Sequence, residues 1–331
     1  MKIWNGKLSR VLGMCALIGV SVFARAQSPS PTPSPLPLSG PTSVFTTYDG
    51  TTLRKGEFTF SAAYAPRDVR TDKLPSALMV RDMPYRIVLP MGYSDQQNST
   101  KRYPVVYLLH GLTGHFDNWT DRTRVAELGS RQNLIIVTPE GDDGWYTDSA
   151  ARPKDKYESY IVKELIPEID KKFRTIADRE HRAIAGLSMG GYGSIKFGLK
   201  YPQMFSVAGS FSGALGAASI TEKEIPGAIG RSIEAIFGPA GSETRKSNDL
   251  FEMVRTATPE KTKTLPFLYL DCGTEDFLFL NNRDFVALLL EKKVPHEYRQ
   301  LPGAHNWKYW DFQVEEFLEL AGERFYGSQN R

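Results

Sequence analysis

From residue 83 onward the chain repeats one pattern, a short apolar run followed by a stretch with helical spacing. The runs fall at 85–89, 105–109, 134–138, 182–186, 207–211, 267–270 and 297–300. Helical stretches lie at 122–131, 158–173 (interrupted near Pro167), 192–200, 282–293 and 307–326. A strand that is apolar along its whole length must be covered on both faces, and the intervening helices provide the cover. The pattern therefore predicts an α/β fold with a mostly parallel central sheet and helices on both faces. The first run joins the second through a polar turn at 92–102, which predicts an antiparallel edge strand. Alternation lapses between Phe211 and Pro266, where helical patches at 229–237 and 249–255 predict a small helical insertion, 214–262. In a doubly wound sheet such an excursion at the carboxyl ends of the strands reads either as a lid or pocket wall or as a structural decoration.

The sequence ahead of residue 83 reads differently. Residues 1–26 carry Lys2, Lys7 and Arg10, then an apolar stretch from Val11 to Ala24 and an A-x-A site ending at Ala26, the pattern of a secretory signal peptide. Fourteen apolar-rich residues are short for a bilayer span. Cys15 lies inside that stretch, after Met14 where a lipid attachment site needs a small residue. Residues 27–41 alternate Ser, Thr and Pro and predict an extended spacer. Residues 42–82 predict a small β extension, with strand-like alternation at 57–64 and a polar, turn-rich stretch at 66–75. The main domain expected from the regular pattern is then 83–331.

Removal of the leader, which has four basic residues and no acid, takes the formal charge from +3 to −1. A near-neutral mature chain does not suit a nucleic-acid partner. Only Cys272 then remains, at the end of an apolar run, and it reads as a buried structural thiol in a chain without an internal disulfide.

The carboxyl ends of the runs carry the chemistry. Gly186-Leu-Ser188-Met-Gly190 fits G-x-S-x-G, a strand-to-helix turn that holds a serine at its apex. Five residues are a weak signal, and position gives them meaning: Asp276 follows the sixth run and His305 the seventh. The order Ser, acid, His at successive strand ends is that of an α/β-hydrolase. A serine hydroxyl needs an imidazole to take its proton, and the imidazole needs a carboxylate to fix its tautomer. Glu275 competes with Asp276 for the last role. The turn at His110-Gly-Leu112 predicts one oxyanion donor at Leu112 N–H and a second at Met189 N–H, on the first turn of the following helix. His110 reads as structural, and His115, His181 and His296 as surface or loop residues. Trp145 and Tyr146 read either as pocket walls or as packing under their loop, and Trp307 as a third wall or an anchor for the last helix. Asn98 and Asn118 match the glycosylation pattern and read as chance matches.

The segments "LLHGLTGHFDNWT", "TPEGDDGWYTDS", "GLSMGGYGS", "DCGTEDFL" and "GAHNWKYW" resemble the esterase-D-like family of α/β-hydrolases over roughly residues 83–326. That family includes feruloyl and acetyl esterases, tributyrin esterases, S-formylglutathione hydrolases and mycolyltransferases. The resemblance implies Ser188 as nucleophile, His305 as base, Asp276 as triad acid, and Leu112 and Met189 as oxyanion donors. It also implies that no metal or organic cofactor is needed. The expected function is a secreted or periplasmic serine carboxylesterase acting on a small-molecule or polysaccharide ester, with acylated plant polysaccharide the leading substrate. An acyltransferase of the mycolyltransferase kind and a non-catalytic binding protein on the same fold are the alternatives.

Overall fold

The computed structural model describes residues 42–48, 53–59, 68–221 and 223–327. The expected leader at 1–26 and spacer at 27–41 lie outside them. The chain divides into two compact units, Met1–Ala63 and Tyr64–Arg331. In the first, strands β1 (Thr42–Tyr48) and β2 (Leu53–Thr59) pair antiparallel as a hairpin.

The second unit is built on an eight-stranded sheet. Its strands are β3 (Val69–Ser76), β4 (Arg81–Val88), β5 (Val105–Leu109), β6 (Ile135–Pro139), β7 (Arg182–Leu187), β8 (Val207–Phe211), β9 (Phe267–Gly273) and β10 (His296–Leu301). Their order across the sheet is β10-β9-β8-β7-β5-β6-β4-β3. Strands β5 to β10 run parallel, whereas β4 pairs antiparallel with both β6 and β3. The antiparallel sense expected for the first run is present, but that run is not the edge. The edge is β3, formed by residues whose charges and Pro75 resemble a turn: an edge strand tolerates such residues because one of its sides faces solvent.

Strands β5, β6, β7 and β8 are buried at every position. Alternate side chains enter two separate cores, Tyr107, Leu109, Val137 and Ile184 on one face and Val106, Leu108, Ile136 and Ala185 on the other. The helices are α1 (Asn118–Arg122), α2 (Val125–Arg131), α3 (Tyr157–Tyr160), α4 (Ile166–Lys172), α5 (Met189–Lys200), α6 (Ala228–Phe237), α7 (Glu243–Lys246), α8 (Leu250–Arg255), α9 (Pro259–Thr264), α10 (Phe279–Glu291) and α11 (Trp307–Tyr326). Helices α1, α2 and α11 cover the second face, while α3, α4, α5 and α10 cover the first. The expected helix at 122–131 is two pieces, because Thr123 adopts extended backbone between α1 and α2. Pro167 does not break its helix. A π turn at Ile161–Leu165 joins α3 to α4 just ahead of it, in place of the α-helical hydrogen bond that proline cannot donate.

The chain leaves β5 toward β6 and then returns to the opposite side of β5 with β7. Strand order reverses there, and a crevice at the carboxyl ends of β5 and β7 is where an open α/β sheet binds its ligand.

Candidate active site

Ser188 stands between the last residue of β7 and the first of α5, with φ 54° and ψ −114°. A non-glycine residue in this region costs about 1–3 kcal/mol and persists only where its surroundings fix it. Three backbone bonds do so: Ser188 N–H donates to Phe211 O at 2.9 Å, and Ser188 O accepts from Tyr192 N and Ala214 N at 3.0 Å each. The glycines of the motif are a matter of space. A Cβ on Gly186 would lie 2.5 Å from the Gly190 carbonyl carbon, and one on Gly190 would lie 2.3 Å from Leu109 O. The first turn of α5 is thus pressed onto the end of β5, beside the turn that follows it.

Asp276 and His305 arrive from the turns after β9 and β10. His305 Nδ1 lies 2.7 Å from Asp276 Oδ2 and His305 Nε2 lies 3.0 Å from Ser188 Oγ. A carboxylate only accepts, so Nδ1 carries the proton and Nε2 is left to accept the serine hydroxyl. Asp276 is 5% exposed, and its other oxygen accepts from Leu278 N at 2.8 Å. Glu275, the competing acid, is exposed and donates its backbone N–H to Gly303 O, so it stays off the imidazole. Trp310 holds one face of His305 at 4.9 Å between centroids and Phe277 lies at 4.6 Å. His305 can therefore take the Ser188 proton as the serine oxygen attacks a carbonyl carbon, while Asp276 fixes the tautomer and stabilises the imidazolium that forms.

The turn after β5 is fixed through three consecutive carbonyls. Trp119 Nε1 donates to Leu109 O at 3.0 Å, Tyr146 OH to His110 O at 2.9 Å, and His110 Nδ1 to Gly111 O at 2.8 Å. Gly111 C=O and Leu112 N–H share one trans peptide plane and point in opposite directions, so holding the carbonyl orients the amide. Gly111 O can only accept, so His110 Nδ1 carries a proton, and His110 Nε2 lies 2.9 Å from Gly141 N and 3.1 Å from Glu140 Oε1. Met189 N–H lies at the start of α5, where no carbonyl of its own helix can reach it and where the helix dipole favours negative charge. Among the described residues neither the Leu112 nor the Met189 amide donates to a protein acceptor.

Tyr146 and Trp145 do not wall a pocket. They are 0% and 5% exposed, pinned in the core by both neighbouring layers. Trp145 packs edge-on against Tyr192 and beside Phe237. The Tyr146 ring fits between Gly141 and Gly193, at either of which a Cβ would come within 2.6 Å of it. Trp307 is half-buried and meets Trp119 and Trp310 edge-on, at 5.6 and 5.2 Å, so it anchors α11. Cys272 is buried, as expected, and burial pushes its thiol far above the usual range.

Sequence reasoning missed a second layer of charge. Glu140, at the end of β6, accepts from Asp142 N, Gly141 N, Phe116 N and His115 Nδ1 and lies 3.1 Å from His110 Nε2. Burial alone would raise its carboxyl, but the hydrogen bond and charge of His110, with the backbone donors, hold it down at about 2. Lys196 of α5 is fully buried and donates to Tyr146 O at 2.6 Å and Thr147 Oγ1 at 2.7 Å, with Glu158 at 2.8 Å. Burial pulls its ammonium down to about 8 against the pull of Glu158. The signal available for Glu140 was its position at a strand end. His115, Glu140 and Asp142 also bring possible metal-ligating atoms within 4.8 Å of one another. Those atoms are committed to protein partners, Asp142 to Arg81 and Tyr157 and Glu140 to the donors above.

An open α/β sheet with Ser, His and Asp joined at its strand ends defines an α/β-hydrolase. Residues 76–319 match the family described as "Putative esterase". An acetyl esterase of Caldicellulosiruptor saccharolyticus is 27% identical over 252 residues, 74% of this chain and 94% of its own. An endo-1,4-beta-xylanase/feruloyl esterase of Xylanibacter ruminicola is 34% identical over 137 residues, 38% of this chain and 19% of that one. Among solved structures, a ferulic acid esterase that is 31% identical matches with a TM-score of 0.67 over 78% of this chain and 98% of its own. The chain belongs to this esterase family and is a carboxylic ester hydrolase of the serine type.

Proposed function

We propose that the protein is an exported esterase that removes acetyl or feruloyl groups from plant polysaccharide through an acyl-enzyme on Ser188. The observation that carries the mechanism is the Ser188–His305–Asp276 chain at 3.0 and 2.7 Å. Ser188 Oγ bonds to the ester carbonyl carbon as its proton passes to His305 Nε2. The carbonyl oxygen, now negative, is held by the Leu112 and Met189 amides. The carbon–oxygen bond to the alcohol breaks as His305 returns the proton to the leaving oxygen. Water, deprotonated by His305, then releases the acid and restores Ser188. Asp276 keeps the imidazole in the required tautomer throughout. Export is supported by Lys2, Lys7 and Arg10 ahead of an apolar stretch ending at Ala26, and among the described residues no helix is long and apolar enough to cross a membrane. The substrate reading is supported by an acetyl esterase and a ferulic acid esterase among the relatives.

The test is Ser188→Ala assayed on p-nitrophenyl acetate, with an expected fall in kcat of about 10⁴-fold or more. A variant as active as its parent would remove Ser188 from the mechanism. A panel of acetylated xylan, methyl ferulate and p-nitrophenyl esters of rising chain length tests the substrate: preference for long acyl chains overturns the polysaccharide assignment and leaves the triad in place. Product analysis with trehalose present separates hydrolysis from acyl transfer, and acyl-trehalose exceeding free acid would overturn hydrolysis.

A further inference from the structure

Phe277 directly follows the acid of the triad, and its ring lies 4.6 Å from the His305 imidazole at 48° between planes. It is 70% exposed, and Leu280, three residues on, is 66% exposed. The other aromatic partner of the imidazole, Trp310, is buried. The open aromatic surface beside the general base is therefore that of Phe277. A large apolar side chain left in water beside a reactive centre offers surface that a bound substrate can cover.

Chemistry decides which part of the substrate covers it. His305 Nε2 takes the Ser188 proton and hands it to the departing oxygen, so the alcohol oxygen must come within hydrogen-bond reach of Nε2. The rest of the alcohol then lies on the His305 side of the site. The carbonyl oxygen points elsewhere, to amides carried by the turns after β5 and β7. The exposed ring is flanked on its own loop by the exposed polar residues Thr274 and Glu275. A flat apolar surface with polar groups at its margin matches a sugar ring, which presents a face of C–H bonds and an edge of hydroxyls.

We propose that Phe277, extended by Leu280, is the platform on which the sugar ring of the leaving alcohol rests. The proposal builds on the polysaccharide-ester reading above. It assigns Phe277 to acylation, the step in which the alcohol is present, and not to deacylation, by which time the alcohol has left.

The experiment compares the full-length protein with Phe277→Ala and Phe277→Leu on two esters of the same acid, methyl acetate and acetylated methyl xyloside. The expected result is a parent that prefers the xyloside ester, and a Phe277→Ala variant whose kcat/KM on that ester falls about tenfold or more, within the range one apolar contact controls. The same variant should lose less on methyl acetate than on the xyloside ester, so that the preference between the two esters shrinks. Phe277→Leu should fall in between, because it keeps apolar bulk and loses the flat face. An equal loss on both esters overturns the proposal and makes Phe277 a support for His305. Unchanged preference in Phe277→Ala overturns it as well. A parent without preference for the sugar ester overturns the polysaccharide reading itself, and this proposal with it.

Discussion

Tyr146 hands its only phenolic hydrogen to His110 O, and its own carbonyl is held by the ammonium of Lys196. Residues 145 and 146 both have φ of 51°, an unfavourable backbone for aromatic side chains. The geometry ties the helix that begins at Ser188 to the turn that carries the Leu112 amide. Tyr146→Phe keeps the ring and removes the bond. Losing one buried hydrogen bond costs about 1–1.5 kcal/mol, or close to tenfold in rate if that bond orients the oxyanion donor. The expected outcome is a kcat about tenfold lower with KM nearly unchanged, measured by steady-state kinetics on p-nitrophenyl acetate. A purely structural tyrosine would lower the melting temperature and leave kcat alone. Sequence reading placed Ser188, Asp276 and His305 at the strand ends where the structure brings them together, because strand ends in an α/β sheet converge whatever the loops do. It left Trp145 and Tyr146 open between pocket wall and packing beneath their loop, because an aromatic residue in a strand-end loop looks the same whether it faces substrate or core. The difference lies in Gly141 and Gly193, whose missing side chains make room for the Tyr146 ring, and no local pattern connects those two glycines.

At the level of elements, a buried arginine within the 214–262 insertion ties its own stretches together. Arg245 is 5% exposed and donates to Gly238 O at 2.9 Å, Ala218 O at 2.8 Å and Ile220 O at 2.5 Å. Those carbonyls belong to two separate stretches of the insertion, the turn at 218–220 and the end of α6 at Gly238. Burial pulls the guanidinium below its usual range, and the nearby acids Glu234, Glu224 and Asp249 work against that pull. Arg245→Ala leaves several buried acceptors without donors, at about 1–3 kcal/mol each by desolvation. The expected outcome is faster limited proteolysis within 214–262, with core strands β5 to β9 still protected from hydrogen exchange. Equal protection of the insertion in parent and variant would show that its short helices hold themselves. The sequence marked where the insertion lies, from the loss of alternation. It did not reveal the fastening, since an arginine in a polar segment carries no sign that it is buried. The same limit explains β3: its alternation is broken by charge and by Pro75, and only pairing with β4 makes it a strand.

For the molecule as a whole, Glu140 links stability to pH. Its carboxyl is held at about 2 against an ordinary 4.5. Between those values the unfolded chain binds more protons than the folded one, so stability falls as pH falls. The contribution is complete above pH 4.5 and is lost as pH drops through about 2, and its full size is on the order of 3 kcal/mol. Glu140→Gln should lower the unfolding free energy at pH 7, and the gap between variant and parent should narrow toward pH 3. Urea titrations at pH 7, 4 and 3 measure this, and a gap independent of pH would mean that Glu140 matters for its shape and not its charge. The outer rim of the sheet has a consequence of a different kind. Along β3 the residues Arg70, Asp72, Lys73 and Pro75 interrupt any template that another chain could extend. Two copies meeting along that rim would meet charged side chains and a missing donor, so extension of the sheet through β3 is disfavoured.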